Sequence, residues 1–332
     1  MKWLAMVGLM GCAARIPLDV MEPAEFTVPS SVQRLALVDR APSDHSFKVL
    51  YALRESMSDG PRFELVANEA AQAAFTAASP VVGQPVSGEQ AAAICADTSA
   101  TGIVSLDTLR VNHDWTWGKR EEERTEDQRI LKTDGNEEQV QVVKTVTVHQ
   151  AFLSLTADST WSLMACDGTV LDEHTVQLRE SHSGEGDTKS DARINTGNLD
   201  TLRSRLMGDV GASYHTRISP WSTQVDRRIF SGGNAHIRAG RRAAVAGDWS
   251  SAYRRWKTAA KKNNGDSPRA WLNLAVYHEQ KGNVKVALKY AKRAAHKMNK
   301  PWIHRYVAEL KASIEKKRRL GQQLGPETDA DE

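Results

Sequence analysis

The 332-residue sequence predicts an N-terminal α/β (α+β) domain with a mixed sheet, followed by an all-α domain of helical hairpins. Three observations carry this. Between residues 32 and 111 the segments run strand, helix, strand, helix, helix, strand. From residue 140 to 178 the pattern changes to Val- and Thr-rich strands with a tight-turn dipeptide. Beyond Asn234, small and apolar residues recur at helical spacing with an offset of 35 residues. The length suits about two domains of ~100–200 residues each. Charged and apolar fractions of 26% and 40% are those of a packed chain, not a disordered one.

Residues 32–38 (VQRLALV) are apolar enough for a central strand, and residues 47–57 place Leu50, Leu53 and Met57 at helical spacing. Residues 62–66 read as a short strand and residues 68–75 as a short Ala-rich helix. In Ser87-Gly88-Glu89-Gln90 a Ser precedes Gln by three residues, which predicts a capping box opening a helix to about Ala96. Residues 102–111 form the next strand, and this order predicts a sheet that is at least partly parallel. Residues 118–139 are almost wholly polar and read as a solvated hairpin tip, with Asp134-Gly135 as the turn signal. A long strand over 140–155 and two more over 160–165 and 169–178, joined at Asp167-Gly168, predict an antiparallel meander. Residues 181–196 read as a loop. Residues 199–217 return to helical spacing through Leu202, Leu206 and Val210, and stop before Pro220. Residues 224–230 read as an edge strand and 231–234 as a flexible turn.

Gly247, Trp249, Ala252, Trp256 and Ala259 recur as Gly282, Val284, Ala287, Ala291 and Ala294. Small residues there let antiparallel helices cross closely, and the offset matches the ~34-residue tetratricopeptide (TPR) repeat. Trp271, Leu274 and Ala275 open the second repeat where that motif has Trp, Leu and a small residue; His236, Ala239 and Gly240 stand there in the first. Gly247 and Gly282 end the first helix of each pair. A fifth helix over 302–320 caps the array, which needs that cap because two repeats are fewer than the three that usually stand alone.

Charge is segregated. From Arg238 to Arg319, 22 Lys or Arg face five acids, a net of +17 against +3 for the whole chain, which leaves −14 for the rest. Such asymmetry marks a domain boundary. Arg254, Arg255, Lys257, Lys285, Lys289 and Lys292 make a candidate partner-binding face that would favour an acidic protein or peptide. The plainer reading is a solvated helix face.

At the N-terminus, Lys2, the apolar run over 3–10 and Gly11 before Cys12 supply the charged region, apolar region and small residue that secretory machinery reads. They resemble the signal and lipobox of a bacterial lipoprotein, with Cys12 lipidated. The alternatives are an incidental Cys after an ordinary apolar start, or a misassigned start codon. The run is far below the ~20 apolar residues of a membrane-spanning helix. The resulting organisation is a signal over 1–11, a tether over 12–31 in which Pro17, Pro23 and Pro29 discourage helix, the α/β domain over 32–233, the helical repeats and cap over 234–320, and an acidic disordered tail over 321–332. Cys95 and Cys166 remain: an oxidising compartment invites a disulfide, but spacing cannot place their Cα atoms within ~7 Å, and two buried thiols are the other reading.

Catalytic motifs are missing. The sequence has no Gly-x-Ser-x-Gly elbow, no Walker loop and no paired-histidine spacing, so no catalytic residue, cofactor or metal is expected. His113 and Asp114 beside Trp115 and Trp117 are the best cluster, yet aromatics at period two on a strand more often cover an apolar face.

The phrases MEPAEFTVPSSVQRLALVDR (21–40), SDGPRFELV (58–66), GIVSLD (102–107) after the Cys95 helix, and RISPWSTQVDRRIFSGGN (217–234) resemble a family of bacterial outer-membrane-type lipoproteins of unknown function. The resemblance spans nearly all of residues 9–300. It implies an α/β domain with TPR-like helices and lipid anchoring, and brings no enzymatic role; Met10 and the short signal depart from it. Ala13 after Cys12, where Asp would retain an inner-membrane position, implies the outer membrane. The expected function is a lipid-anchored, periplasm-facing, non-catalytic scaffold whose helical pairs offer a groove to a partner. Alternatives are an envelope assembly or secretion component contacting anionic lipid or polysaccharide, and an uncharacterised periplasmic enzyme. Nucleic acid is excluded by export and returns as a partner if the lipobox fails. Substituting Cys12→Ser is expected to release the protein from membranes on cell fractionation; unchanged membrane association would contradict the anchor.

Overall fold

Residues 14–22 alternate polar and apolar side chains through Ile16, Leu18 and Val20, the period of a strand with one covered face. In this computed structural model the segment Ala13–Glu22 is strand β1. It pairs antiparallel with Trp221–Phe230, Ala13 opposite Phe230 and Glu22 opposite Trp221. The structure describes residues 13–58, 60–78, 86–133, 137–261 and 265–324. Cys12 and the signal segment lie outside them, as do the Asp134-Gly135 turn and residues 325–332. The chain divides into two compact units: residues 25–219, and residues up to 24 together with 220 onward.

Residues 25–219 carry β2 (Arg34–Asp39), α1 (Asp44–Ser58), β3 (Glu64–Leu65), α2 (Asn68–Ala77), α3 (Gly88–Thr98), β4 (Gly102–Leu131), β5 (Glu137–Ala165), β6 (Val170–Gly186), α4 (Lys189–Thr196) and α5 (Leu199–Ile218). The sheet order is β3-β2-β4-β5-β6. β3, β2 and β4 are parallel and β4, β5 and β6 antiparallel, so the sheet is mixed. Residues 35–38 are buried on both sides because alternate side chains serve opposite faces. Leu35 and Leu37 join the core under α1 and α5, with Leu53, Met57, Val210 and Tyr214. Ala36 and Val38 join the core under α2 and α3, with Phe75 and Ile94. α1 and α5 approach closely at Gly211, where a Cβ would meet the Leu53 amide nitrogen at 2.8 Å. At the start of α3, Ser87 Oγ accepts from the Gln90 amide at 3.2 Å and Gln90 Oε1 accepts from the Ser87 amide at 2.9 Å, the expected capping box.

Three local expectations differ. β5 is continuous where a break was expected between residues 155 and 160, because residues 156–159 pair with β4 on one side and β6 on the other, which outweighs the poor strand propensity of Asp158. β6 continues to Gly186, and α4 stands where a loop was expected. Thr188 and Asp191 form a capping box there, the Asp191 amide donating to Thr188 Oγ1 at 3.1 Å. Gly184 and Gly186 let the α4 backbone lie against the strand. Beyond the sheet β4 and β5 continue as a paired hairpin to Leu131 and Glu137, with Arg120–Glu122, Arg124–Asp187 and Lys144–Glu126 ion pairs along it.

The second unit joins β1 to β7 (Trp221–Phe230), α6 (Ala235–Val245), α7 (Trp249–Lys261), α8 (Ser267–Gln280), α9 (Val284–Lys297) and α10 (Pro301–Leu324). Gly247 and Gly282, with φ of 80° and 71°, turn the chain after α6 and α8 in the left-handed conformation that favours glycine. Gly240 lies directly against the Trp256 indole, and Ala252, Ala259, Ala287, Ala291 and Ala294 are buried in the shared core.

These units correct the expected boundaries. The presumed tether over 12–31 is β1 from Ala13 to Glu22, and beyond it Val28 and Val32 are buried. A two-stranded ribbon leaves each strand an unpaired edge, where the missing N–H of Pro17 is tolerated. β7, assigned by sequence to the 32–233 domain, belongs with the helices, so the α/β unit is an insertion between β1 and β7. The expected tail from 321 is helical to Leu324, tied by Gln323, whose Oε1 accepts from the Ala24 amide at 2.9 Å.

Cys95 on α3 and Cys166 after β5 are joined in a disulfide across 71 residues, with Cα atoms 5.8 Å apart. Cys95→Ser, or reduction, is expected to lower the unfolding free energy by about 2–4 kcal/mol in urea titrations of the full chain. An unchanged midpoint would show that this crosslink constrains nothing.

Candidate interaction surface

α6, α8 and α10 are the first helices of the hairpins and the cap, and the β1–β7 ribbon packs on α8 and α6. Ile16, Leu18, Ile229 and Phe230 from the ribbon share one core with Trp271, Leu274, Ile303 and Leu310. Asn273 on α8 completes the ladder at the end of β7: its Oδ1 accepts from the Phe230 amide at 2.7 Å and its Nδ2 donates to the Phe230 carbonyl at 3.0 Å. α8 is consequently buried from Ala270 through Val276. One side of α8 is thus covered by the chain's own strands.

Arg227 fastens that cover. Its Nε and Nη2 donate to Glu279 on α8 at 2.8 and 2.7 Å, and its Nη1 donates to Glu309 on α10 at 3.0 Å. The Tyr306 hydroxyl donates to Glu279 Oε2 at 2.8 Å. Burial works against the Arg227 charge, but the hydrogen bonds and charge of Glu279 outweigh it and raise its pKa. Burial, and then Glu279, push Tyr306 well above its ordinary value, so it stays protonated and can donate to Glu279. Each buried charge here has a partner, as a dry site requires.

The predicted basic residues have a different setting. Arg254, Arg255 and Lys257 are exposed on α7, and Lys285, Lys289 and Lys292 are exposed on α9. Among the described residues none of the six is in an ion pair; Arg254 donates instead to Ser251 Oγ at 2.8 Å. In the charged hairpin of β4 and β5, by contrast, Arg120, Arg124, Arg129, Lys132 and Lys144 each meet a carboxylate. Three tyrosines and a histidine lie beside it. Tyr253 stacks on Tyr277 at 4.6 Å, and His278 stacks on Tyr290 at 5.4 Å with the rings 6° from parallel. Lys257 Nζ is 5.2 Å from the Tyr253 ring centroid, and Tyr253 holds its pKa above the ordinary value, with a smaller contribution from Tyr290. Lys257 of α7 and Tyr290 of α9 thus belong to one surface. Burial lowers the His278 pKa, which keeps the ring neutral near pH 7.

The other sequence candidates separate. Cys12 lies outside the described residues. His113 Nδ1 pairs with Arg203 Nη2 at 2.8 Å. Trp115 and Trp117 stack at 5.9 Å, with Arg193 and Lys189 at 5.4 and 5.8 Å from their rings; Trp115 packs against the core under α1 and α5, whereas Trp117 is exposed. Among the described residues no three His, Cys, Asp or Glu side chains converge as metal ligands, and no helix is long and apolar enough to cross a membrane. Sequence reasoning missed Arg227, Glu279, Asn273 and Tyr306. Of these only Arg227 falls within a segment singled out from the sequence, the edge strand over 224–230.

Residues 238–312, from α6 into α10, match the model of a domain of unknown function, DUF6340. Comparison with curated proteins finds no match.

Arg227→Met is expected to cost about 3–5 kcal/mol of stability by leaving Glu279 buried and unpaired. Arg227→Met with Glu279→Leu should recover most of that loss in urea unfolding. A single substitution without effect would remove the pair from any structural role.

Proposed function

We propose that this chain is a non-catalytic, lipid-anchored adaptor at the periplasmic side of the outer membrane, which binds an acidic protein or peptide on the outer face of α7 and α9. The observation that carries the reading is the set of six exposed bases, none of them in an ion pair among the described residues, on the helices that also carry Tyr253 and Tyr290, with Lys257 over the Tyr253 ring. Tyrosine and arginine dominate the energetics of protein interfaces, because they bury large area at low entropic cost and keep a polar tip. Unpaired bases add long-range steering toward acidic surfaces.

The TPR-like character is supported by the 35-residue offset, the left-handed glycines after α6 and α8, and the close seat of Gly240 on Trp256. Since the ribbon covers α8, the partner is assigned to the second helices rather than to the groove. Export is supported by the lipobox-like Leu9-Met10-Gly11-Cys12 and by a disulfide that an oxidising compartment allows. The non-catalytic reading rests on the sequence, which lacks the nucleophile, phosphate-loop and metal-ligand spacings.

Crosslinking pull-down from the cell envelope tests the surface. Lys289→Glu with Lys292→Glu is expected to reduce recovery of the acidic partner about tenfold. Equal recovery from wild type and the reversed variant would make the basic face a solubility feature.

A further inference from the structure

We infer that the recess between the outer face of the β1–β7 ribbon and the start of α10 binds the phosphate headgroup of an anionic lipid. The inference rests on the proposed lipidation of Cys12, which would hold this recess at the bilayer. The recess has a volume of about 590 Å³ and is lined by Arg15, Asp226, Arg228, Trp302, Arg305 and Glu309, among others.

Its charges divide into spent and unspent. Glu309 is engaged by Arg227 at 3.0 Å. Asp226 stands 3.7 Å from Arg15, with both side chains more than half exposed. Arg228 and Arg305 have no carboxylate partner among the described residues. Arg228 instead lies over the Trp302 ring, 5.9 Å from its centroid. Two free guanidinium forks beside a partly buried indole match a phosphate diester at a membrane interface: the fork binds phosphate oxygens in pairs, and the indole ring favours the headgroup layer.

Position supplies the second argument. Arg15 stands directly opposite Arg228 in the ladder. β1 begins at Ala13, the residue after Cys12, so no tether separates the lipidated residue from the ribbon. Three residues from Cys12 to Arg15 span at most about 11 Å. A lipid on Cys12 therefore enters the bilayer within reach of this recess, whereas a 20-residue tether would have left it free.

Sedimentation with vesicles tests the site apart from the anchor. The full chain carrying Cys12→Ser is mixed with phosphatidylcholine vesicles, with or without phosphatidylglycerol, and the gain in binding due to the anionic lipid is read. Arg228→Ala with Arg305→Ala, both at exposed positions, is expected to cut that gain about tenfold. Lys289→Ala with Lys292→Ala removes the same charge from another face and is expected to leave most of it. Equal losses from the two pairs, or none from the arginine pair, would overturn the site. If inorganic phosphate raises the thermal midpoint of the parent but not of the arginine variant, while both bind vesicles equally, the ligand is a soluble phosphate and the lipid assignment fails. Failure of the anchor itself shows separately, as unchanged fractionation of Cys12→Ser in cells.

Discussion

The helical unit depends on the antiparallel pairing of β1 with β7. Neither partner is self-sufficient: an isolated two-stranded ribbon is marginal in water, and two helical pairs with one cap are fewer than a free-standing array normally needs. Packed together, the ribbon buries Ile16, Leu18 and Ile229 on the helices, and the helices cover the one apolar face the ribbon has. At about 1.5–3 kcal/mol for each fully buried aliphatic side chain, that exchange is large beside the net stability of a domain. Arg227 and Glu279 then set the register. Slipping β7 by one residue would turn Arg227 outward and drive Arg228 into the core.

This pairing reorganises the chain. Strands distant in sequence close one unit, and Glu25–Ser219 is inserted where the ribbon is open, between Glu22 and Trp221. Because Ala13 is already in the ladder, a lipid on Cys12 would hold the basic unit itself at the membrane rather than a flexible leader. The same strands cover one side of α8, while exposed bases outside any ion pair among the described residues stand on α7 and α9 and, as Arg228, on the outer face of the ribbon.

What could be read from the residues follows physical range. The central strand was legible in Leu35-Ala36-Leu37-Val38, α3 in the reciprocal bonds of Ser87 and Gln90, and the hairpins in Gly247, Gly282 and the alanines between them. All are local signals. β1 was hidden because Pro17 reads against regular structure unless an unpaired edge is foreseen, and its partner lies some 200 residues away. The unbroken course of β5 through Asp158 required both neighbouring strands, and the role of Arg227 required knowing that Glu279 and Tyr306 would be buried beside it. The exposure of the basic residues on α7 and α9 is the complement of the buried face of Ala252, Ala259, Ala287 and Ala291, a local pattern the sequence already carries.

Amide hydrogen exchange over residues 13–22 of the full chain is the most direct test of the ribbon. Slow exchange at the ladder amides of β1, matching that of Trp221–Phe230 and rising together with it in denaturant, is the expected result. Exchange over 13–22 at the rate of an unstructured chain, with β7 and the helices still protected, would contradict the pairing and return the segment to a tether.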